Sequence, residues 1–529
     1  MLEKSYVPQE ISTPAQKIQN VRFSKGRSFE KLQIISGIVI SEFQKRATFI
    51  KSSSFRFLFD QETKHVYSVG DNRDFKAYMN ETFGINREFD YVLNDLDREV
   101  QFRGIESEVH RFAYWDKSNH KLHIDRRNGE VIVLDGSKID IVSNGMDGVF
   151  FLSPKKADPI EWEILDPEFH YCEQGLELNS EDLPQKSLLL EVLTKGLRFV
   201  GPLSPQEQKS LLLIIVYVIF FESINPTKPV IVATGPKGSG KTDLCRNIGR
   251  ILIGKSFEVT RFRNDERDFA STCAHNYLVV LDNLEEKSKW LMDMVAIIAT
   301  GGEISMRELH TTCSELKLKL RVFLFLNAID PKLRRDDIAD RLMIFQLDRL
   351  DTFRSESEIS SDIEANQSKI WGELLTNLNS IVQRLKENAL FPPGKFRLAD
   401  FEVFAKRICA DPNALEAVLE KMEGLRGDYS LENDNLSHLL ELWLQSGMET
   451  GAGRIPNIGR QVTASELLTE FQSLAKVDSN LECYYGEARS LGKKIHQIQP
   501  ELERLFGLEV FPPKGGGPAV YRFTKKREI

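Results

Sequence analysis

Eight residues near the middle of the chain, Gly235, Pro236, Lys237, Gly238, Ser239, Gly240, Lys241 and Thr242, leave little choice about what must flank them. The five before them, VIVAT at 230–234, form an unbroken apolar and β-branched run that reads as a buried strand. Asp243 to Ile253 reads as a helix, so the eight residues carry a strand into a helix N-terminus. Glycines at 235, 238 and 240 let backbone N–H groups close around phosphate oxygens, where the helix end already favours negative charge. Lys241 then reaches the β and γ oxygens, and the Thr242 hydroxyl holds Mg²⁺. The stretch from Gly235 to Asp243 is therefore expected to bind a nucleoside triphosphate, taken as ATP.

Two further strands bear on the same chemistry. Tyr277–Asp282 (YLVVLD) is apolar up to a terminal carboxylate, which places Asp282 as the second metal-holding group beside Thr242. The next residue is Asn283, whose amide can orient water but cannot take its proton. The general base is sought nearby, with Glu285 ahead of Glu286; either also suits a solvated helix start. Val322–Leu326 leads into Asn327, placed to sense a γ-phosphate or simply to cap a turn. Arg341 is preferred to Arg335 as an arginine offered to a neighbouring subunit's phosphate; surface ion pairs are the plainer role for both. Strand and helix patterns alternate from Val230 to Leu350, which implies a parallel sheet covered by helices.

At 529 residues the chain is too long for one core. Residues 1 to about 50 show no clear periodicity, whereas Phe55 to Trp162 alternates short β-rich runs with Asn128-Gly129, Asp135-Gly136 and Asn144-Gly145, as in an antiparallel meander. Pro205 after Ser204 suits a helix start. The longest apolar run, Leu211–Phe221, has 11 residues, too few for the roughly 20 that cross a bilayer. Six scattered cysteines without a CxxC pair fit reduced thiols in a cytoplasm. No membrane association and no secretory leader are expected.

The net charge of -8 hides a local exception. From Gly486 onward nine Lys/Arg stand against five Asp/Glu, a surplus of four positive charges. Residues 463 to 523 resemble a winged helix, with helices over Thr463–Ala475 and Glu487–Gln499 and strands Leu508–Phe511 and Val520–Phe523. Leu491, Ile495, Ile498 and Leu502 make a buried stripe. Arg489, Lys493 and Lys494 lie on the other face, and Lys514 sits in the Gly-rich wing; all four are candidate duplex contacts. Winged helices also dock proteins, and that reading stays open.

The motifs GPKGSGKT, VVLDN, Thr300-Gly301-Gly302 with Arg307–Thr311, FLN and DDIADRL together resemble AAA+ helicases of superfamily 3 and minichromosome-maintenance type, as in phage and mobile-element primase-helicase ATPases. The resemblance covers about 230 to 350. It implies a homo-oligomeric ring, taken as a hexamer, with Arg341 supplied in trans and a pore hairpin within Glu303–Leu320. Arg307, His310, Lys317 and Lys319 would grip single-stranded DNA there; the two lysines also suit a merely solvated strand face. Asn283 departs from the family's usual second acid, and the first 190 residues carry no primase signature. Asp95 and Asp97 read as a solvated turn.

The expected architecture is an α/β P-loop AAA+ ATPase core at 191–352, preceded by a β-rich α+β N-terminal domain at 1–190. A helical lid or linker at 353–445 and a winged helix at 446–529 follow. The expected function is an ATP-driven DNA-translocating motor for replication of a phage or mobile element. The alternative is a regulatory AAA+ ATPase, in antiviral defence or transcriptional control, that switches assembly with a partner.

Overall fold

Two helices open the described chain where no periodicity is evident. Thr13 caps Pro14–Phe23 through a reciprocal bond with Gln16, with Pro14 in the first turn. Ser28–Arg46 follows and leads into the strand Ala47–Lys51. The computed structural model describes residues 12–52, 55–70, 72–153, 158–163, 187–261, 263–282, 284, 289–307, 315–329, 336–387, 394–431, 435–450, 453–477, 483–512 and 517–525. They fall into two compact units: Met1–Pro331 with Phe345–Glu416, and Lys332–Ile344 with Ala417–Ile529.

In the first unit, Ala47–Lys51 pairs antiparallel with Arg56–Asp60, which pairs antiparallel with His65–Ser68. Helices Arg73–Phe83 and Phe89–Arg103 cover this sheet around Phe43, Leu58, Met79, Phe83 and Leu96. Asp95 and Asp97 lie in the second of these helices rather than in a turn. Asp95 accepts a hydrogen bond from Ser36 Oγ at 2.7 Å, and Asp97 one from Arg56 at 2.6 Å. Their spacing follows the helix, since Leu96 and Val100 supply its buried stripe.

Ala113–Asp116, Lys121–Asp125, Glu130–Leu134 and Ile139–Ser143 then form a four-stranded antiparallel meander in sequence order. Ser204 caps Pro205–Ile219, whose apolar run is buried all round. No helix among the described residues is long and apolar enough to cross a membrane.

A five-stranded sheet lies at the centre of this unit. Its order is Thr260–Arg261, Leu278–Asp282, Phe323–Ala328, Val230–Thr234, Leu342–Gln346. The first four strands run parallel, and of the fifth, Phe345 and Gln346 belong to this unit. Leu278–Asp282, Phe323–Ala328 and Val230–Thr234 are nearly continuous in apolar residues, as strands covered on both faces require. Three of the four described cysteines, Cys245, Cys273 and Cys409, are buried free thiols whose pKa burial pushes up to about 12.

The second unit has its own core of Leu439, Trp443, Phe471, Leu491, Ile495, Leu502 and Phe523. Helix Asn435–Ser446 belongs to it: the Trp443 and Phe523 rings lie 5.9 Å apart. The expected boundary at 445/446 therefore cuts a helix away from the core it helps to build. A three-stranded antiparallel sheet, in the order Gln461–Thr463, Val520–Phe523, Leu508–Phe511, closes the unit. The helix read as Glu487–Gln499 runs Ala488–Gln497, and Gln499–Phe506 is a separate helix. Pro500 lacks the N–H that a continuing helix would need, so the chain turns at Ile498. All four stripe residues remain buried across the break.

Candidate functional site

The strand order of the central sheet decides where two polar residues end up. The strand bearing Asn327 lies between the strand that enters the glycine loop and the strand that ends in Asp282. Ala233 is level with Asn327, and Leu326 with Leu281, so Asn327 and Asp282 emerge side by side at the carboxyl edge. That edge, next to a reversal of strand order, is where open α/β sheets hold ligands.

Helix Lys241–Ile253 begins at Gly240, and the loop ahead of it is tightly packed. A Cβ at Gly235 would stand 2.0 Å from the Leu347 carbonyl oxygen. Gly240 has φ of +80°, and a Cβ there would stand 2.5 Å from Leu197 Cδ2. Lys241 Nζ donates to the carbonyls of Gly235 at 2.7 Å and Pro236 at 2.8 Å, and to Ser239 Oγ at 3.2 Å. The ammonium thus lies across the mouth of its own loop. Partial burial lowers its pKa, against the opposing pull of Asp282.

The Thr242 hydroxyl donates to Asp282 Oδ1 at 3.1 Å. A hydroxyl and a carboxylate so paired are hard oxygen donors, and they suit Mg²⁺ with its retained waters. Burial raises the pKa of Asp243, with Arg246 opposing. Asn327 is buried, and its carbonyl accepts from the Leu284 amide at 3.2 Å.

Several contacts around the loop have no signature in the sequence. Leu350 N–H donates to the Gly238 carbonyl at 3.0 Å, and the exposed ring of Phe353 lies against Gly238. Glu356, in the first turn of the long helix Glu356–Lys386, pairs with Arg246 at 3.1 Å and with Arg250. A lone aromatic and one acid after a strand look like any loop residues. Only the fold brings them to 238 and 246.

The remaining candidates are dispersed. Asn283, Glu285, Glu286, His310, Arg335 and Lys514 lie outside the described residues, as does the Arg307 side chain. Arg341 is half-buried in the second unit, its N–H bonded to the Ile338 carbonyl. Strands Glu303–Arg307 and Glu315–Lys319 form an antiparallel pair, with Lys317 and Lys319 outward and Leu318 inward. Lys319 pairs with Glu108 at 3.6 Å, a carboxylate far away in sequence. In the second unit Arg489 and Lys493 are exposed and Lys494 is half-buried.

Residues 203–429 match the model of a family described as the actinomycete integrative conjugative element replication protein. No curated protein matches the chain. Among solved structures, the A form apo structure of the NrS-1 C-terminal region is 11% identical, covering 92% of this chain and 98% of that chain, with a TM-score of 0.41. An apo structure of the same region has 11% identity, the same coverage and a TM-score of 0.39. The family match includes the glycine loop, Asp282 and Asn327, so the part of the chain that carries the candidate site, though less than half of its length, is similar to a mobile-element replication protein.

Proposed function

We propose that this chain is an ATP-hydrolysing, DNA-translocating motor of AAA+ type that serves the replication of a mobile element. The observation that carries the reading is the 3.1 Å bond between Thr242 and Asp282, at the end of a glycine loop that Lys241 spans. The family match over 203–429 supports the replicative setting.

In this reading the backbone N–H groups of 235 and 237–241 bind the phosphates. Lys241 exchanges its loop carbonyls for phosphate oxygens, a short swing for a flexible side chain. Thr242 and Asp282 would hold Mg²⁺, which when bound neutralises charge developing on the phosphates. Asn327 orients the attacking water, and Glu285 is the proposed base. Arg341 reaches a neighbour's phosphate in a homo-oligomeric ring, proposed as a hexamer. Lys317 and Lys319, with Arg307 and His310, grip a strand in the pore. The second unit, read as a winged helix, meets duplex DNA through Arg489, Lys493, Lys494 and Lys514.

The decisive experiment is strand displacement on forked DNA with ATP, run beside phosphate release with and without DNA. Unwinding and DNA-stimulated hydrolysis are expected, and both should vanish in Lys241→Ala. Hydrolysis indifferent to DNA, without unwinding, would instead favour the regulatory switch.

A further inference from the structure

Away from the glycine loop, a cavity of about 170 Å³ opens between the strands of the N-terminal part of the first unit and the 273–277 and 319–321 segments. On that measure one water needs about 10–15 Å³, so the space suits a single nucleotide unit. Its lining includes the aromatic residues Phe55, Phe57, Tyr114 and Tyr277 and the cations Arg111, Lys319 and Arg321.

Arg111 is the telling residue. Among the described residues it pairs with no carboxylate. Its guanidinium donates to the His275 carbonyl and lies 5.9 Å from the Phe55 ring centre. Burial alone pulls its pKa down to about 10. A half-buried cation that lacks a counter-charge favours the arrival of an anion.

The two neighbouring cations share one acid. Glu108 pairs with Arg321 at 2.9 Å and Lys319 at 3.6 Å. Burial would raise its carboxyl, but Arg321 and Lys319 hold it below the usual range. Glu222, the other acid in the wall, is engaged by Lys228 at 2.7 Å. Burial pushes His110 down to about 4, so it is neutral and stacks on Tyr114 with ring centres 4.0 Å apart. The cavity therefore offers three cations, one competing carboxylate and several aromatic rings.

We propose that this cavity is a second nucleotide-binding site, in which Arg111, Lys319 and Arg321 hold a phosphate and Phe55 and Tyr277 face its base. Glu108 occupies the place of the phosphate oxygens and yields it on binding. Base–aromatic contact with cationic phosphate capture is how single strands are held without sequence preference. A free nucleotide presents the same chemistry.

The test uses the full chain with Lys241→Ala, so that the glycine loop contributes little. A short fluorescein-labelled oligothymidylate is titrated by anisotropy, then displaced with either unlabelled oligomer or dTMP. Arg111→Ala should weaken binding about tenfold or more, the range for one charge-assisted hydrogen bond. Glu108→Gln removes the competitor and should strengthen it, which guards against Arg111→Ala merely loosening the wall. Displacement by dTMP assigns the site to nucleotides in general, and displacement by oligomer alone assigns it to a strand. The proposal stands if the two substitutions move affinity in opposite directions. Any other result, absence of binding included, overturns it.

Discussion

At Lys241 the structure separates a role in chemistry from a role in folding. Among the described residues its ammonium bonds to its own loop, to the carbonyls of Gly235 and Pro236 and to Ser239 Oγ. Lys241→Ala is therefore expected to abolish turnover while the melting temperature stays within about a degree or two, as for substitutions outside the core. Phosphate release and thermal melting decide it; turnover that persists in a clean preparation would exclude the ATPase reading. Asp282→Asn is subtler. An asparagine Oδ1 can still accept from the Thr242 hydroxyl, so the local bond survives while the charge is lost. Nucleotide binding should weaken modestly and hydrolysis should stop. Equal losses in both would mean that Asp282 acts in binding alone.

At the scale of elements, one buried acid ties two helices together. Glu373 in Glu356–Lys386 accepts from Ser187 Oγ at 2.6 Å and from the Leu189 amide at 3.1 Å, at the start of Leu188–Thr194. Burial raises its pKa to about 7 from 4.5. Because the folded value is the higher one, the stabilisation it gives is complete below about 4.5 and is lost as pH rises through about 7. Glutamine does not titrate; its Oε1 can accept from the Leu189 amide while its Nε2 donates to Ser187 Oγ, which reverses that bond. Denaturant unfolding of wild type and Glu373→Gln should thus show the wild type's relative stability falling by up to about 3 kcal/mol between those values, then levelling. A pH-independent difference would refute this assignment.

The glycine loop and its flanking strands are legible in the sequence because their signals are local: an apolar pentapeptide, fixed glycines, a helix start. The helices at 14–46 are not, because Ser28–Arg46 buries only Ile35, Ser36, Val39 and Phe43 and its remaining positions are mixed. Nor could spacing show that Glu108 meets Lys319 and Arg321, or that Phe353 covers Gly238. Those partners lie far apart in the chain and meet only through the sheet order. Pro500 marks the break at Ile498 in the sequence, but the continuous apolar stripe of Leu491, Ile495, Ile498 and Leu502 argues for one helix.

For the whole molecule, the two units invite separate failures. Arg341 belongs to the unit without the glycine loop. If it acts across a subunit boundary, Arg341→Ala should lower kcat about 10³-fold with monomer nucleotide affinity nearly unchanged. Mixing it with Lys241→Ala protein should restore some turnover at interfaces that pair an intact loop with an intact arginine; verified mixed rings without rescue would count against a trans role.

Duplex loading is the other property that one unit can lose alone. Arg489, Lys493 and Lys494 share the helix Ala488–Gln497, whose Leu491 and Ile495 face the core, so replacing the three cations leaves the packing of that unit in place. Each cation that meets a phosphate releases counterions, at about 0.9 in the log-log salt slope per contact on B-form DNA. Arg489→Ala, Lys493→Ala and Lys494→Ala together should therefore flatten the salt dependence of duplex binding by roughly 2 to 3, while hydrolysis without DNA is unchanged. Unwinding from a preloaded single strand should suffer less than loading onto duplex, because the pore contacts are untouched. An unchanged slope in the triple variant would make this helix a solvated or protein-docking face, and the case for a regulatory switch would strengthen in proportion.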